Sequence, residues 1–181
     1  MGKLRYTVPV CKREWESRSL AELVALVTHR FRRPTRQRIE AIASVLPRIL
    51  SSAREPREAY GRLGTVFASL SELIDSHERL EDRILWPAIV KVERDPTSTN
   101  QRFCEALRQK IAEADIEHVA LRCLSVALRH AVIEIKGLPA SVDEAVLALN
   151  LDMLVLLLNE RLELEDRYLW PRALALLQHE P

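Results

Sequence analysis

The sequence predicts an all-α protein, an up-down-up-down antiparallel four-helix bundle, and three observations predict it. The 181-residue chain has only four glycines, and it is rich in Leu, Ala, Glu and Arg, a composition that favours helix over strand. Capping-box signatures mark helix starts that leave long uninterrupted segments behind them. Finally, HERLEDRILWP (77–87) recurs 84 residues later as RLELEDRYLWP (161–171), with seven of eleven positions identical, as two tandem helical hairpins would have it.

The elements follow in order. Residues 1–18 read as an N-terminal extension, an extended and partly ordered arm without the apolar core of a signal peptide. The bundle spans 19–178 as one domain. SLAE (19–22) opens a first helix at 19–50; its Ser oxygen and the acid three residues on satisfy free backbone donors. A second helix, at 55–92, starts near SSAREPRE, where Pro56 suits a first turn. After RDPTS (94–98), STNQ (98–101) opens a third at 99–136; after KGLPA (136–140), SVDE (141–144) opens a fourth at 141–177. Pro34, Pro47, Pro87 and Pro171 lie within or near the ends of these spans and predict kinks.

Composition excludes several functions. Twenty-seven basic against 26 acidic residues leave a net charge of +1, which gives no electrostatic case for nucleic acid or a membrane surface as partner. The basic run HRFRRPTRQR (29–38) reads as a solvated helix face. LDMLVLLLN (151–159) falls far short of the roughly 20 apolar residues of a membrane span. Cys11, Cys104 and Cys123 form no CxxC, so a disulfide framework or cysteine zinc site is not expected and a reducing cytoplasm is. Cys104 and Cys123 read as inert packing residues, with no base nearby to mark a nucleophile.

Polar residues interrupt the apolar stripes at one level. On helix two, Leu63, Phe67, Leu70, Leu73, Ile74, Leu85 and Ala88 form a stripe whose gap holds His77 and Glu81. On helix three, Ile111, Ala114, Leu121, Leu128, Val132 and Ile135 enclose His118; on helix four, Leu154, Leu157 and Leu158 run into Arg161 and Glu165. Carboxylates that leave water need a positive partner. A divalent metal is one answer, because His and Glu at i and i+4 point the same way from a helix. Arginine is the other, since a guanidinium has no lone pair for a metal and pairs bidentately with carboxylate. His130 lies off its stripe and His179 in the tail, while Trp86 and Trp170 read as bundle-end packing.

These residues resemble the haemerythrin-like (HHE) family and, within it, the di-iron proteins that repair iron centres. His77, Glu81 and ILWP (84–87) match that group's second helix, Glu117-His118 its third, Glu165 and YLWPR (168–172) its fourth, and LAELV (20–24) the start of its first. Three of the five expected histidines are replaced: their positions fall on Arg32, close to Ala53, and on Arg161. His29, one turn before Arg32, is a candidate extra ligand only if Pro34 shifts the helix phase; the Leu20, Val24, Val27, Phe31 stripe puts it on the outer face. The resemblance does not extend to the N-terminal cysteine-rich domain of many repair proteins, since residues 1–18 are expected to be an arm and carry only Cys11.

The resemblance implies a haemerythrin-like bundle in which His77, Glu81, His118 and Glu165 hold non-haem iron, one ion rather than two. Its setting would be iron, oxygen or nitric oxide handling, or iron-sulfur cluster repair under nitrosative stress, with dioxygen, nitric oxide or an iron-sulfur protein as partner. The alternative is a metal-free bundle in which Arg32 and Arg161 neutralise the glutamates and which serves as a binding or regulatory module. A third reading is a haem or small-ligand sensor with an axial histidine. Whether the protein is an enzyme is left open by the sequence, which offers no catalytic base or nucleophile.

Overall fold

A computed structural model describes residues 12–52, 57–135 and 141–178, and these are helical almost throughout, with no strand among them. Five-residue α1 (Lys12–Glu16) precedes four long rods. The first joins α2 (Leu20–Leu26), a π-helical turn (Val27–Arg32) and α3 (Arg33–Ser52). The second joins α4 (Arg57–Leu80), a π turn (Glu81–Leu85) and α5 (Trp86–Arg94). The third is the uninterrupted α6 (Gln101–Ile135), and the fourth joins α7 (Val142–Leu164), a π turn (Glu165–Leu169) and α8 (Trp170–Leu176). Cys11, Ala53, Pro56, the break at 136–140 and His179 lie outside the described residues.

The rods pack as a bundle. α2 lies against α5 and α3 against α4, so the first two rods run antiparallel; α4 packs along α6, α6 beside α7, and α7 along α3. Two apolar clusters fill the interior. One, at the α1 end, is built on Trp15, Leu23, Phe31, Trp86, Ile111 and Trp170; the other, at the far end, on Ile42, Tyr60, Leu63, Leu128, Leu151 and Leu158.

Two of the three expected capping boxes form. Ser19 and Glu22, and Ser141 and Glu144, each exchange reciprocal bonds with free backbone N–H groups. Glu93 adds to the first, its oxygens accepting from Leu20 N (2.5 Å) and Ala21 N (2.8 Å). The third start differs from expectation: Ser98 belongs to a short 3-10 turn (Pro96–Ser98), and Asn100 caps α6 by accepting from Phe103 N at 2.9 Å. The proline after Asp95 ends α5 and starts that turn, which moves the cap two residues on.

The arm also departs from an extended chain. Lys12–Glu16 is helical, because Trp15, only 2% exposed, anchors it edge-on against Tyr168 with ring centroids 5.3 Å apart. Cys123 is exposed rather than packed, whereas Cys104 is half-buried.

Each π turn ends two residues before Pro34, Pro87 or Pro171. Proline lacks an N–H, and its ring crowds the carbonyl four residues back, so a turn widened by one residue relieves the clash. Thus Trp86 N–H donates to Glu81 C=O and Trp170 N–H to Glu165 C=O, five residues back in each case. Pro47 instead sits inside continuous α3.

Candidate functional site

Between the two apolar clusters lies a buried layer containing Arg32, His77, Glu78, Glu81, His118, Arg161 and Glu165. Glu81 and Glu165 are each the first residue of a π turn, so the irregular backbone that accommodates the prolines also carries the two central carboxylates. The layer divides into two halves related like the two hairpins.

One half is imidazole. His77 Nδ1 lies 2.8 Å from Glu117 Oε2, and His118 Nδ1 lies 2.5 Å from Asp166 Oδ1. A carboxylate at Nδ1 holds the proton there, which turns each Nε2 inward as the free ring nitrogen. The two Nε2 atoms face one another at 3.1 Å. Carboxylate oxygens close around them: Glu165 Oε2 is 3.0 Å from His118 Nε2 and 3.8 Å from His77 Nε2, and Glu81 Oε1 is 3.3 Å from His77 Nε2. With neutral rings in these tautomers, Glu81 Oε1 and Glu165 Oε2 receive no hydrogen bond although both are buried. Three lone-pair-bearing atoms, His77 Nε2, His118 Nε2 and Glu165 Oε2, therefore converge, with Glu81 Oε1 beside His77 Nε2, and the gap calls for a positive charge, either a proton on the ring pair or a cation.

The other half is guanidinium. Arg161 Nε donates to Glu165 Oε1 (2.9 Å), Nη1 to Glu78 Oε1 (3.0 Å) and Nη2 to Glu81 Oε2. Arg32 Nη2 donates to the same Glu81 oxygen (2.6 Å) and Nη1 to Asp82. Each central glutamate thus gives one oxygen to arginine and turns the other to the histidines. The correspondence extends outward: Asp82 holds Arg32 as Asp166 holds His118, and Trp86 lies under Arg32 (5.8 Å) as Trp170 lies beside His118 (6.0 Å). Trp86 and Trp170 stack at 5.5 Å and 21° between the halves.

The electrostatics follow from these contacts. Burial pulls the His77 pKa down, but its bonds to Glu165 and Glu81 and their charges outweigh that and push it up to about 10. His118 is also raised: burial works against its charge, while Asp166 and Glu165 favour it more strongly. Burial opposes ionisation of Glu165, yet Arg161 and the two histidines hold its carboxyl well below the usual range. For Arg161, burial opposes the charge and the surrounding carboxylates reinforce it more strongly, which raises its pKa.

The structure brings together every central residue the sequence singled out, His77, Glu81, His118 and Glu165, with Arg32 and Arg161 among them. His77, His118 and Glu165 have ligating atoms within 4.8 Å of one another. His29 is exposed on the outer face, so the π turn before Pro34 leaves it out and brings Arg32 inward instead. The basic run is accordingly not a simple solvated face: Arg32 is buried, Arg36 reaches in to Glu78 (2.6 Å), and Arg38 bonds Asn150 (3.0 Å). Sequence reasoning missed Glu78, and it missed Glu117 and Asp166 as ring-orienting carboxylates. The repeated Glu-Asp-Arg, with an acid after each central glutamate, was the available signal for Asp166, and the Glu117-His118 pair was that for Glu117. Neither a family model nor a curated protein matches the chain.

Proposed function

We propose that the imidazole half binds a single divalent metal ion, through His77 Nε2, His118 Nε2, Glu165 Oε2 and Glu81 Oε1, and that this ion is non-haem iron. The observation that carries the reading is the outward pinning of both Nδ1 atoms by Glu117 and Asp166, which presents two ring nitrogens to two buried carboxylate oxygens without a hydrogen-bond donor. Metal-ligating histidines have this carboxylate support, and a set of two imidazoles and two carboxylates suits iron, manganese or zinc. Iron is favoured among them by the resemblance to haemerythrin-like proteins. Bound iron would supply a redox-active centre for dioxygen or nitric oxide, in iron handling or iron-centre repair.

One ion rather than two follows from Arg161 and Arg32, whose guanidiniums occupy the carboxylate oxygens that a second ion would need and offer it no lone pair. The chain's own residues would exclude water from the site, orient the rings and fix the charge of the second half.

A metal-free module is the second reading, favoured by a His77 pKa of about 10, because a proton on the ring pair also fills the gap. An axial-haem arrangement has no support in the geometry, since the two Nε2 atoms face one another at 3.1 Å in a buried layer.

Anaerobic purification with ferrous iron supplied, followed by elemental analysis, tests the proposal. The expected result is one iron per chain and a melting temperature that rises on adding ferrous ion, with both effects lost in His118→Asn. A folded helical protein that binds no iron, manganese or zinc and melts at the same temperature with or without them overturns the metal reading and leaves the metal-free module.

A further inference from the structure

α6 has two faces with the same spacing. Its core face runs Ile111, Ala114, His118, Leu121, Ser125, Leu128, Val132 and Ile135, all buried. The opposite face runs Ala112, Ile116, Val119, Cys123, Val126, His130 and Ile133, with alternating steps of four and three residues, and all seven positions are exposed. This is the heptad pattern of a coiled-coil seam. It extends over 22 residues, roughly 33 Å of helix. Ile116 is 71% exposed, Val119 59%, Val126 56% and Ile133 64%, an unusual row for a face that meets only water. Beside Ile133 the seam opens into an apolar groove of about 650 Å³, walled on the α7 side by Leu149, Met153 and Leu156.

We infer that this face is the interface of a homodimer, in which α6 of a second copy lies antiparallel along the seam. Charge decides the occupant and its direction. The seam is flanked by acidic Asp115 toward its N-terminal end and basic Arg129 toward its C-terminal end. Both are exposed, and among the described residues neither has an ion-pair partner within the protomer. Reversing the helix sets Asp115 of each copy opposite Arg129 of the other, two ion pairs from one surface patch. A parallel copy gives neither. In this register Ile116 meets Val126, and Val119 meets Cys123 across the two-fold axis. Arg122, which flanks the centre and would meet its own copy there, already has its charge engaged by Asp166. Ala120 and Ala127, exposed beside the seam, let the helices approach closely.

Sedimentation equilibrium of the full chain, from low to high micromolar concentration, reads the stoichiometry. The expected result is a dimer that Val119→Glu with Val126→Glu weakens by ~100-fold or more, because charges are buried at the seam without partners. Circular dichroism should show helicity retained, since both positions are exposed in the protomer. Asp115→Arg and Arg129→Asp should each weaken the dimer, and together restore it. A short bis-maleimide should join two chains through native Cys123 and fail to do so in Cys123→Ser. A monomer throughout this range, or a dimer indifferent to the two glutamates, overturns the inference. A dimer weakened further by the charge exchange overturns its antiparallel direction.

Discussion

Arg161 bonds three carboxylates at once, Glu78, Glu81 and Glu165, while less than 2% of its own surface reaches water. A histidine at this position, as in the first copy of the repeat, would return the spacing of a ligand pair but strand those carboxylates. The two halves therefore differ by more than one ligand, because Arg32 stands beside Arg161 in the guanidinium half where His118 stands beside His77 in the imidazole half. Arg161→His alone is expected to cost roughly 3–5 kcal/mol in the metal-free protein, as for a broken buried ion pair, measured by urea unfolding. It should leave bound iron at one per chain, because Arg32 still holds Glu81 Oε2. Arg32→His together with Arg161→His frees both oxygens, and only this double variant should take up a second ion. A second iron in the single variant would show that Arg161 merely occupies a vacated ligand position. A single variant as stable as the parent would show that the layer does not depend on it.

At the scale of elements, α4 shows which parts of the chain are set by local preference. Gly61 and Gly64 lie inside this helix, and a methyl group built at Gly61 meets nothing within 4 Å. Gly61→Ala should therefore gain about 0.5–1 kcal/mol from backbone entropy alone and raise the melting temperature by roughly 1–4 °C. A fall on thermal unfolding would mean that this face of α4 is covered. The same local rules made the long helices legible from their sequence: Ser19 and Ser141 cap where the boxes stand, and the apolar stripes of α4 and α6 are buried as their spacing requires, with Leu73 half-buried at the margin. The π turns were not legible in that way. Proline predicted a disturbance at 34, 87 and 171, but a kink and a widened turn relieve the same clash, and packing around the layer decides between them. Helix α1 was hidden because five residues cannot hold a helix by propensity, and burial of Trp15 is a tertiary fact. The central four site residues showed as gaps in apolar stripes, whereas Glu78, Glu117 and Asp166 sit one residue off those stripes and gain meaning only from what they touch.

Over the whole molecule the polar layer separates two apolar clusters whose outer ends are closed by different chemistry. The α1 end is shut by Trp15 against Tyr168, an apolar contact indifferent to pH. The far end is tied by Tyr60 at the start of α4, whose hydroxyl donates to Glu144 Oε1 at 2.8 Å, while Oε2 of the same residue caps α7 by accepting from Ser141 N at 3.2 Å. Burial first, and then the bond to Glu144 and its charge, push the Tyr60 phenol up to about 12. An unfolded tyrosine titrates near 10, so the folded state keeps its proton longer and this tie stabilises the bundle fully below pH 10. Between 10 and 12 the unfolded chain loses that proton while the folded one retains it, and the contribution declines with each step upward. Tyr60→Phe removes the bond at every pH, so its melting temperature should lie below the parent's at neutral pH, with the gap narrowing as pH rises from 10 to 12. A gap that stays constant across this window would mean that the Tyr60 proton is not shared with Glu144, and that packing of the ring alone holds α4 to α7.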